Sequence, residues 1–269
     1  MELQINGYKT HAATGGRSFD ASMPTVLFIH GSGLDHRSWA LQTRWFACHG
    51  YAVLAPDFPG HSLSDGTPLT SIEMMGQWLI DFLDTTGVAS AHVVGHSQGF
   101  LCALELARQA PEKVKSLSGV GTAAAIPVNP ALIETALEST AKAADMMLQW
   151  GFGYQAQMGI SAVPGMQPIA IGRKIMIDNP LAIDLQCCAN YEEGTAVAKT
   201  LNIPGLLVLA GQDRMTPLKA GKALAEIMNA TVRVIENHGH MLPIEAPRHC
   251  LAYLREFITT VEHAEQKPS

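Results

Sequence analysis

Short, unbroken apolar runs recur along the chain, each ending at glycine, proline or a polar cluster. Thr25–Ile29 is the first, followed by residues 52–55, 91–94 and Gly205–Ala210; further strands are read near Val114–Val120 and at Thr231–Ile235. Runs of this length without alternation read as strands buried on both faces of a parallel sheet. Leu3 and Ile5 alternate with polar neighbours instead, which predicts a short edge strand. Residues 7–24 are rich in Gly, Ser and Thr and leave room for a second edge strand or hairpin. Between the buried strands lie helical patterns. Ile72, Met75, Leu79, Ile80 and Leu83 share one helical face within residues 71–86. Further helices are expected near residues 39–49, 100–107, 217–228 and 244–261. Strand and helix in alternation dictate an α/β fold with a mainly parallel sheet and right-handed crossovers.

The alternation stops at residues 127–200. No buried strand is legible there, only helical pieces at 130–150, 169–178 and 184–199, separated by glycine and proline. Met146, Met147, Met158, Met166 and Met176 fall in this stretch. The strand rhythm then resumes. Residues 127–200 therefore read as a helical cap inserted into a core of residues 1–126 and 201–269, and not as a second independent domain. The tail, 263–269, reads as disordered.

Composition narrows the function. With 47% apolar and 16% charged residues over 269 positions, one large α/β domain can bury a real core. A net charge of −6 argues against a nucleic-acid partner. No apolar run is long enough for a membrane span, and the N-terminus lacks the basic and apolar regions of a signal peptide. The odd count of cysteines, without a C-x-x-C pair, suits reduced thiols in a cytoplasmic protein. No metal-ligand spacing is found among the histidines, so neither metal nor cofactor is expected. The expected partner is a small molecule, and the expected state a monomer or homodimer.

The chemistry centres on Gly95-His96-Ser97-Gln98-Gly99, which follows a strand, opens a helix and fits G-x-S-x-G. In such an elbow the glycines give room to neighbouring backbone, and the serine is lifted above the sheet in strained geometry. The Gln98 amide lies at a helix N-terminus, where unpartnered N–H groups favour an oxyanion. A serine hydroxyl needs a general base, and the base needs an acceptor that fixes its tautomer. Both belong on loops at the carboxyl ends of strands. Gly211-Gln212-Asp213-Arg214 follows one strand, and Glu236-Asn237-His238-Gly239-His240 follows the next. Asp213 is the acid candidate. His240 is the base candidate, with His238 as its rival. His30, His96 and Cys102 read as core residues, and Asp57 as a structural tie for its loop.

These residues resemble the capped α/β-hydrolase superfamily over nearly all of residues 20–260. His30-Gly31-Ser32-Gly33, Asp57-Phe58-Pro59-Gly60-His61-Ser62, Gly95 to Gly99, Gly211-Gln212-Asp213, and Gly239-His240 followed by Glu245-Ala246-Pro247 carry the resemblance. Two positions depart from the usual pattern: Ser62 and Phe100 stand where glycine is common. The resemblance implies a mostly parallel eight-stranded sheet flanked by helices, with the cap inserted after strand 6. It implies Ser97 as nucleophile, His240 as base, Asp213 as orienting acid, and the Ser32 and Gln98 amides as oxyanion hole. The Ser32 hydroxyl is a candidate third donor. The loop after strand 6, Gly121-Thr122-Ala123-Ala124, has no carboxylate to serve as an alternative acid. Serine at position 97 disfavours the carboxylate nucleophile of dehalogenases and epoxide hydrolases.

A carboxylesterase acting on small to medium, mostly apolar esters is expected. Gly31, Gly33, Met147, Trp150 and Met241 are the candidate substrate contacts, with Phe152 and Tyr154 as further lining candidates. The same triad also suits C–C bond hydrolysis, lactone opening or thioester cleavage, where Arg173 of the cap is a candidate partner for a substrate carboxylate. A slow-hydrolysing small-ligand sensor is the alternative from another class.

Overall fold

The computed structural model describes residues 1–265. Its sheet has eight strands: β1 (Glu2–Ile5), β2 (Tyr8–Ala13), β3 (Thr25–Ile29), β4 (Ala52–Pro56), β5 (Ala91–His96), β6 (Val114–Val120), β7 (Gly205–Ala210) and β8 (Thr231–Ile235). Their spatial order is β1-β2-β4-β3-β5-β6-β7-β8. The pairs β1–β2 and β2–β4 are antiparallel, and every other pair is parallel. The edge strand and the six later strands all form where expected, and residues 7–24 supply β2.

Alternate residues of each central strand feed opposite apolar layers, as a period of two requires. Leu27, Ile29, Val93, Leu117, Leu207 and Leu209 pack toward α2 (Ile72–Thr85), α3 (Gln98–Gln109) and α10 (Leu218–Met228). Val26, Phe28, Val94, Val120, Leu206 and Val208 pack toward α1 (Ala40–Ala47) and α12 (Pro247–Glu265). Both faces are covered, so that even the polar His92 of β5 and Ser116 of β6 are buried, 2.8 Å apart in a hydrogen bond.

Six helices occupy the interval between β6 and β7: α4 (Pro130–Glu138), α5 (Thr140–Gly151), α6 (Tyr154–Gln157), α7 (Pro168–Met176), α8 (Leu181–Asn190) and α9 (Gly194–Thr200). They build a third apolar cluster in which Met147, Leu148, Phe152, Met176, Leu181 and Leu185 meet Leu34, Met241 and Ile244 from the core loops.

The helix lengths differ from the periodic reading. The single helix expected at 130–150 is split at Ser139, which is extended (φ −159°) and caps α5 by accepting from the Lys142 amide. The helix expected at 184–199 begins earlier, at Leu181, and breaks before Gly194, where the chain passes so close to Ala124 O that no side chain fits. The closing helix divides into α11 (Leu242–Glu245) and α12, because Pro247 cannot continue a helix but suits its first turn. Residues 263–265, expected to be disordered, continue α12; residues 266–269 lie outside the described residues.

Both departures from the glycine pattern are accommodated. Ser62 adopts a left-handed φ of +47°, held by its amide donating to Asn179 Oδ1 at 2.9 Å. Phe100 is fully buried, with its ring beside Gly119 of β6, where a side chain would crowd it.

The packing of α3 on the sheet has one contact without slack. A Cβ on Gly99 would lie 2.5 Å from the carbonyl oxygens of Ile29 and His30. Gly99→Ala is expected to cost on the order of 3 kcal/mol through overpacking against rigid backbone. Thermal unfolding followed by circular dichroism reads this as a lowered Tm. An unchanged Tm would mean that α3 can slide away from β3.

Candidate active site

Ser97 sits between β5 and α3 with φ +53° and ψ −122°, a region that costs a non-glycine residue about 1–3 kcal/mol. Steric necessity enforces it. A Cβ on Gly95 would meet the Gly99 carbonyl and the Phe100 amide at 2.5 Å, so the strand and helix can approach only with glycine at both places. Hydrogen bonds then fix the turn. The Ser97 amide donates to Val120 O at 3.1 Å, and Ser97 O accepts from the Phe100 amide at 3.0 Å and Thr122 Oγ1 at 3.1 Å.

Asp213 and His240 come together from the loops after β7 and β8. His240 Nδ1 donates to Asp213 Oδ2 at 2.8 Å. The same oxygen accepts from Thr216 Oγ1, and Oδ1 accepts from the Met215 and Thr216 amides, each at 2.8 Å. Burial pushes the Asp213 carboxyl up, but His240 and the Thr216 bonds outweigh it and hold the group below its usual range. With Nδ1 committed to Asp213, neutral His240 presents the lone pair of Nε2. The backbone of His240 is anchored too: its amide donates to Gly151 O at 2.6 Å, and its carbonyl accepts from His96 Nε2 at 3.0 Å. Burial, then the neighbouring His240, depress the His96 pKa to about 3, so this ring stays neutral beneath the site. His238, the rival base, turns outward and binds Glu236 O through Nδ1 at 2.7 Å.

The Gly239-His240 and Glu245-Ala246-Pro247 signatures have a joint physical reason. A Cβ on Gly239 would lie 2.3 Å from Gly151 O, so glycine lets the end of α5 reach this loop. Glu245 clamps the contact, with Oε1 accepting from the Gly153 amide at 2.9 Å and Oε2 from the Gly239 amide at 3.0 Å.

The loop after β3 closes the other side. Leu34 N donates to Gly31 O at 3.0 Å across a turn in which Gly33 takes φ +65°. The turn leaves the Ser32 and Gly33 amides outside its own bond. Asp184 Oδ2, from cap helix α8, accepts from the Gly33 amide at 2.7 Å. The Ser32 and Gln98 amides have no protein acceptor among the described residues. Ser32 Oγ, the candidate third donor, lies 3.5 Å from Cys188 Sγ.

Ser32, Ser97 and His240 open onto a cavity of about 360 Å³. Its walls include Ile126, Val128, Leu132, Met147, Met176, Leu185, Met215 and Met241, and its rim includes Met146, Trp150 and Arg214. Met147, Trp150 and Met241 thus line the cavity as expected of substrate contacts. The other expected contacts do not. Gly31 packs under His96 and Ser97, Gly33 packs on Leu181, Phe152 is buried within the cap and Tyr154 is exposed. Arg173 lies on the surface in an ion pair with Asp145.

Sequence reasoning missed two polar residues that join the cap to these loops. Asn179 Nδ2 donates to Gly33 O, Leu34 O and Asp35 Oδ2, each at 3.1 Å. Asp184 Oδ2 also accepts from His61 Nε2 at 3.0 Å. Asp184 had a visible signal: it is an acid on the same helical face as Leu181, Leu185 and Cys188. Burial alone would push the His61 pKa down, but Asp184 outweighs it and the net shift is upward. A raised pKa in the folded state means that this pair adds stability below the ordinary histidine value of 6.5 and loses it as pH rises through the folded value. The Tm difference between the wild type and Asp184→Asn is expected to shrink as pH rises above 6.5. A difference that stays constant would mean that His61 does not change charge there.

Comparison with known proteins bears on the whole chain. The profile described as the alpha/beta hydrolase family matches residues 26–249. A 95-residue stretch is 42% identical to the dihydrolipoyllysine-residue acetyltransferase component of the acetoin cleaving system of Cupriavidus necator, covering 35% of this chain and 25% of that protein. A 106-residue stretch is 36% identical to the 2-hydroxy-6-oxononadienedioate/2-hydroxy-6-oxononatrienedioate hydrolase of Paraburkholderia phymatum, covering 38% and 37% of the two chains. The chain spans between 25% and 55% of the length of the curated relatives it matches. The crystal structure of the enol-lactonase from Burkholderia xenovorans has the same fold, with a TM-score of 0.84 at 21% identity over 96% of this chain and all of that one. No helix among the described residues is long and apolar enough to cross a membrane. The extent of the family match, on a sheet of this order and an elbow of this geometry, decides the classification: the chain belongs to the alpha/beta hydrolase family.

Proposed function

We propose that the protein is a serine hydrolase that cleaves small to medium, mostly apolar carboxylic esters through an acyl-enzyme on Ser97. The reading rests on one observation: a bonded Asp213–His240 pair and a strained Ser97 open onto the same largely apolar cavity. Ser97 Oγ attacks the ester carbonyl while His240 Nε2 takes its proton. The Ser32 and Gln98 amides receive the oxyanion, the use for which two backbone donors without acceptors are suited. The tetrahedral intermediate collapses to the acyl-enzyme, and His240 returns the proton to the departing alcohol. Water then repeats the sequence with His240 as base, releasing the acid and free Ser97. Residues 127–200 act as the lid over the core formed by 1–126 and 201–269, keeping bulk water from the acyl-enzyme. Flexible methionine side chains in the wall favour an acyl group of adaptable shape.

A second reading, favoured by Arg214, keeps the same triad but acts on substrates with a distal carboxylate, such as acid-bearing lactones or dienoates. Arg214 stands at the cavity rim with Nη2 donating to Gln149 O at 3.1 Å, and no carboxylate of the described residues pairs with it. A bidentate guanidinium is the natural receiver of such a group. The Paraburkholderia relative, by its name, hydrolyses a dioate.

Ser97→Ala is expected to lower kcat on p-nitrophenyl butyrate by on the order of 10⁴-fold or more with an unchanged Tm. Asp213→Asn is expected to lose on the order of 10⁴-fold, because the wrong His240 tautomer is presented. Full activity of either variant would end the triad assignment. The two readings separate on paired esters of equal length, one neutral and one ending in a carboxylate. Under the second, Arg214→Gln raises KM for the acid-ended ester by about tenfold and leaves the neutral one unchanged.

A further inference from the structure

We propose that Asp184, carried by the cap, is a positioning residue that sets the oxyanion hole, so that acyl transfer depends on the cap being seated. The inference rests on the serine hydrolase reading. The turn Gly31–Leu34 has two amides outside its own hydrogen bond, those of Ser32 and Gly33. The Ser32 peptide is already held by the core, because Gly31 O accepts from the Leu34 amide at 3.0 Å and from His30 Nδ1 at 3.1 Å, whereas the Gly33 amide has no core partner and would compete for the reacting carbonyl. Asp184 Oδ2 removes that competition by holding the Gly33 amide at 2.7 Å. The Ser32 amide is left as the one available donor of this turn, beside Ser97. Asn179 fixes the carbonyl side of the same turn by donating to Gly33 O and Leu34 O. The peptides on the far side of Ser32 are therefore set by side chains of the 127–200 insertion, while the core holds Gly31 O.

Asp184 is also tied to the nucleophile's helix. Gln98, whose amide is the second proposed oxyanion donor, gives its side-chain Nε2 to Asp184 O at 3.4 Å. One cap residue thus touches both halves of the hole without lining the cavity itself.

The chemistry of the site argues that a hydrogen-bond acceptor is needed. Asp184 is fully buried, and its Oδ1 has no protein partner, an arrangement that costs more than an apolar contact in the same place. An apolar residue could hold α8 against the core. Only an acceptor can orient an amide. The charge is compensated by His61, which faces acceptors at both ring nitrogens: Pro59 O at 3.1 Å and Asp184 Oδ2 at 3.0 Å. Two donors on one imidazole describe the protonated ring.

The test is kinetic, on the full-length protein. Asp184→Ala is expected to lower kcat on p-nitrophenyl butyrate by about tenfold to a hundredfold, somewhat less than outright loss of one oxyanion donor, with KM within about twofold. Affinity for a trifluoromethyl ketone, which forms an oxyanion on the serine, is expected to fall in parallel with kcat. Asp184→Asn is expected to recover most of the loss, because its amide oxygen still accepts from Gly33. A raised KM with unchanged kcat, or unchanged kinetics, would overturn the inference, since a purely structural tie moves Tm or substrate binding alone. Amide exchange in the wild type gives a reading independent of the variants. The Gly33 amide is expected to be protected throughout, and the Ser32 amide only after the ketone binds. A Ser32 amide already protected without ketone would equally overturn it. Absence of Ser97-dependent turnover in the wild type would instead sink the hydrolase reading on which this rests.

Discussion

The structure hangs on a steric constraint where β5 turns into α3. Gly95, Gly99 and the carbonyls of Ile29 and His30 leave no room for a single extra carbon. The helix therefore leaves the strand at one angle only, and Ser97, at the vertex, is forced to a positive φ that it would not choose. A contact of this kind stores strain locally and is sustained by the buried layers on both sides of the sheet. Its chemical consequence is a hydroxyl projected beyond the carboxyl ends of the strands, with a helix N-terminus beside it.

Around that vertex the polar groups are arranged so that each has one job. Asp213 accepts four hydrogen bonds and so is held ionised despite burial, which commits His240 to a single tautomer. His96, stripped of water, remains neutral and serves as a donor to the His240 carbonyl. His61, buried nearly as deeply, is driven the opposite way by Asp184. Burial pushes both rings toward the neutral form, and only at His61 does a bonded carboxylate reverse it.

The insertion between β6 and β7 does more than cover the cavity. Its apolar cluster takes in Leu34, Met241 and Ile244 from the core loops, and its polar residues Asn179 and Asp184 bind the turn after β3. The end of α5 receives the His240 amide and shares Glu245 with Gly239. The loop bearing His240 and the turn beside Ser97 are thus both fastened to the same inserted segment.

Much of this was legible along the chain because it follows from local rules. Strands buried on both faces favour unbroken apolar runs, so β3, β4 and β7 were the plainest, and Ser97, Asp213 and His240 could be picked from loops at strand ends. The breaks at Ser139 and Pro247 were less visible, because a helical face continues across a cap and periodicity does not register the interruption. Asp184, Asn179, Thr216 and Arg214 act through partners dozens to more than a hundred residues away or through the shape of a loop, and no spacing encodes that. Gly31 and Gly33 were placed in the cavity by their neighbourhood, yet the turn's direction sends Gly33 to the cap instead. The chain by itself determined the sheet, the elbow and the strand-end loops that carry Ser97, Asp213 and His240, because each depends on residues near in sequence. Which amides stay unpaired, which histidine is charged and what walls the cavity were decided only by tertiary structure, because hydrogen bonding and desolvation depend on what folding brings alongside.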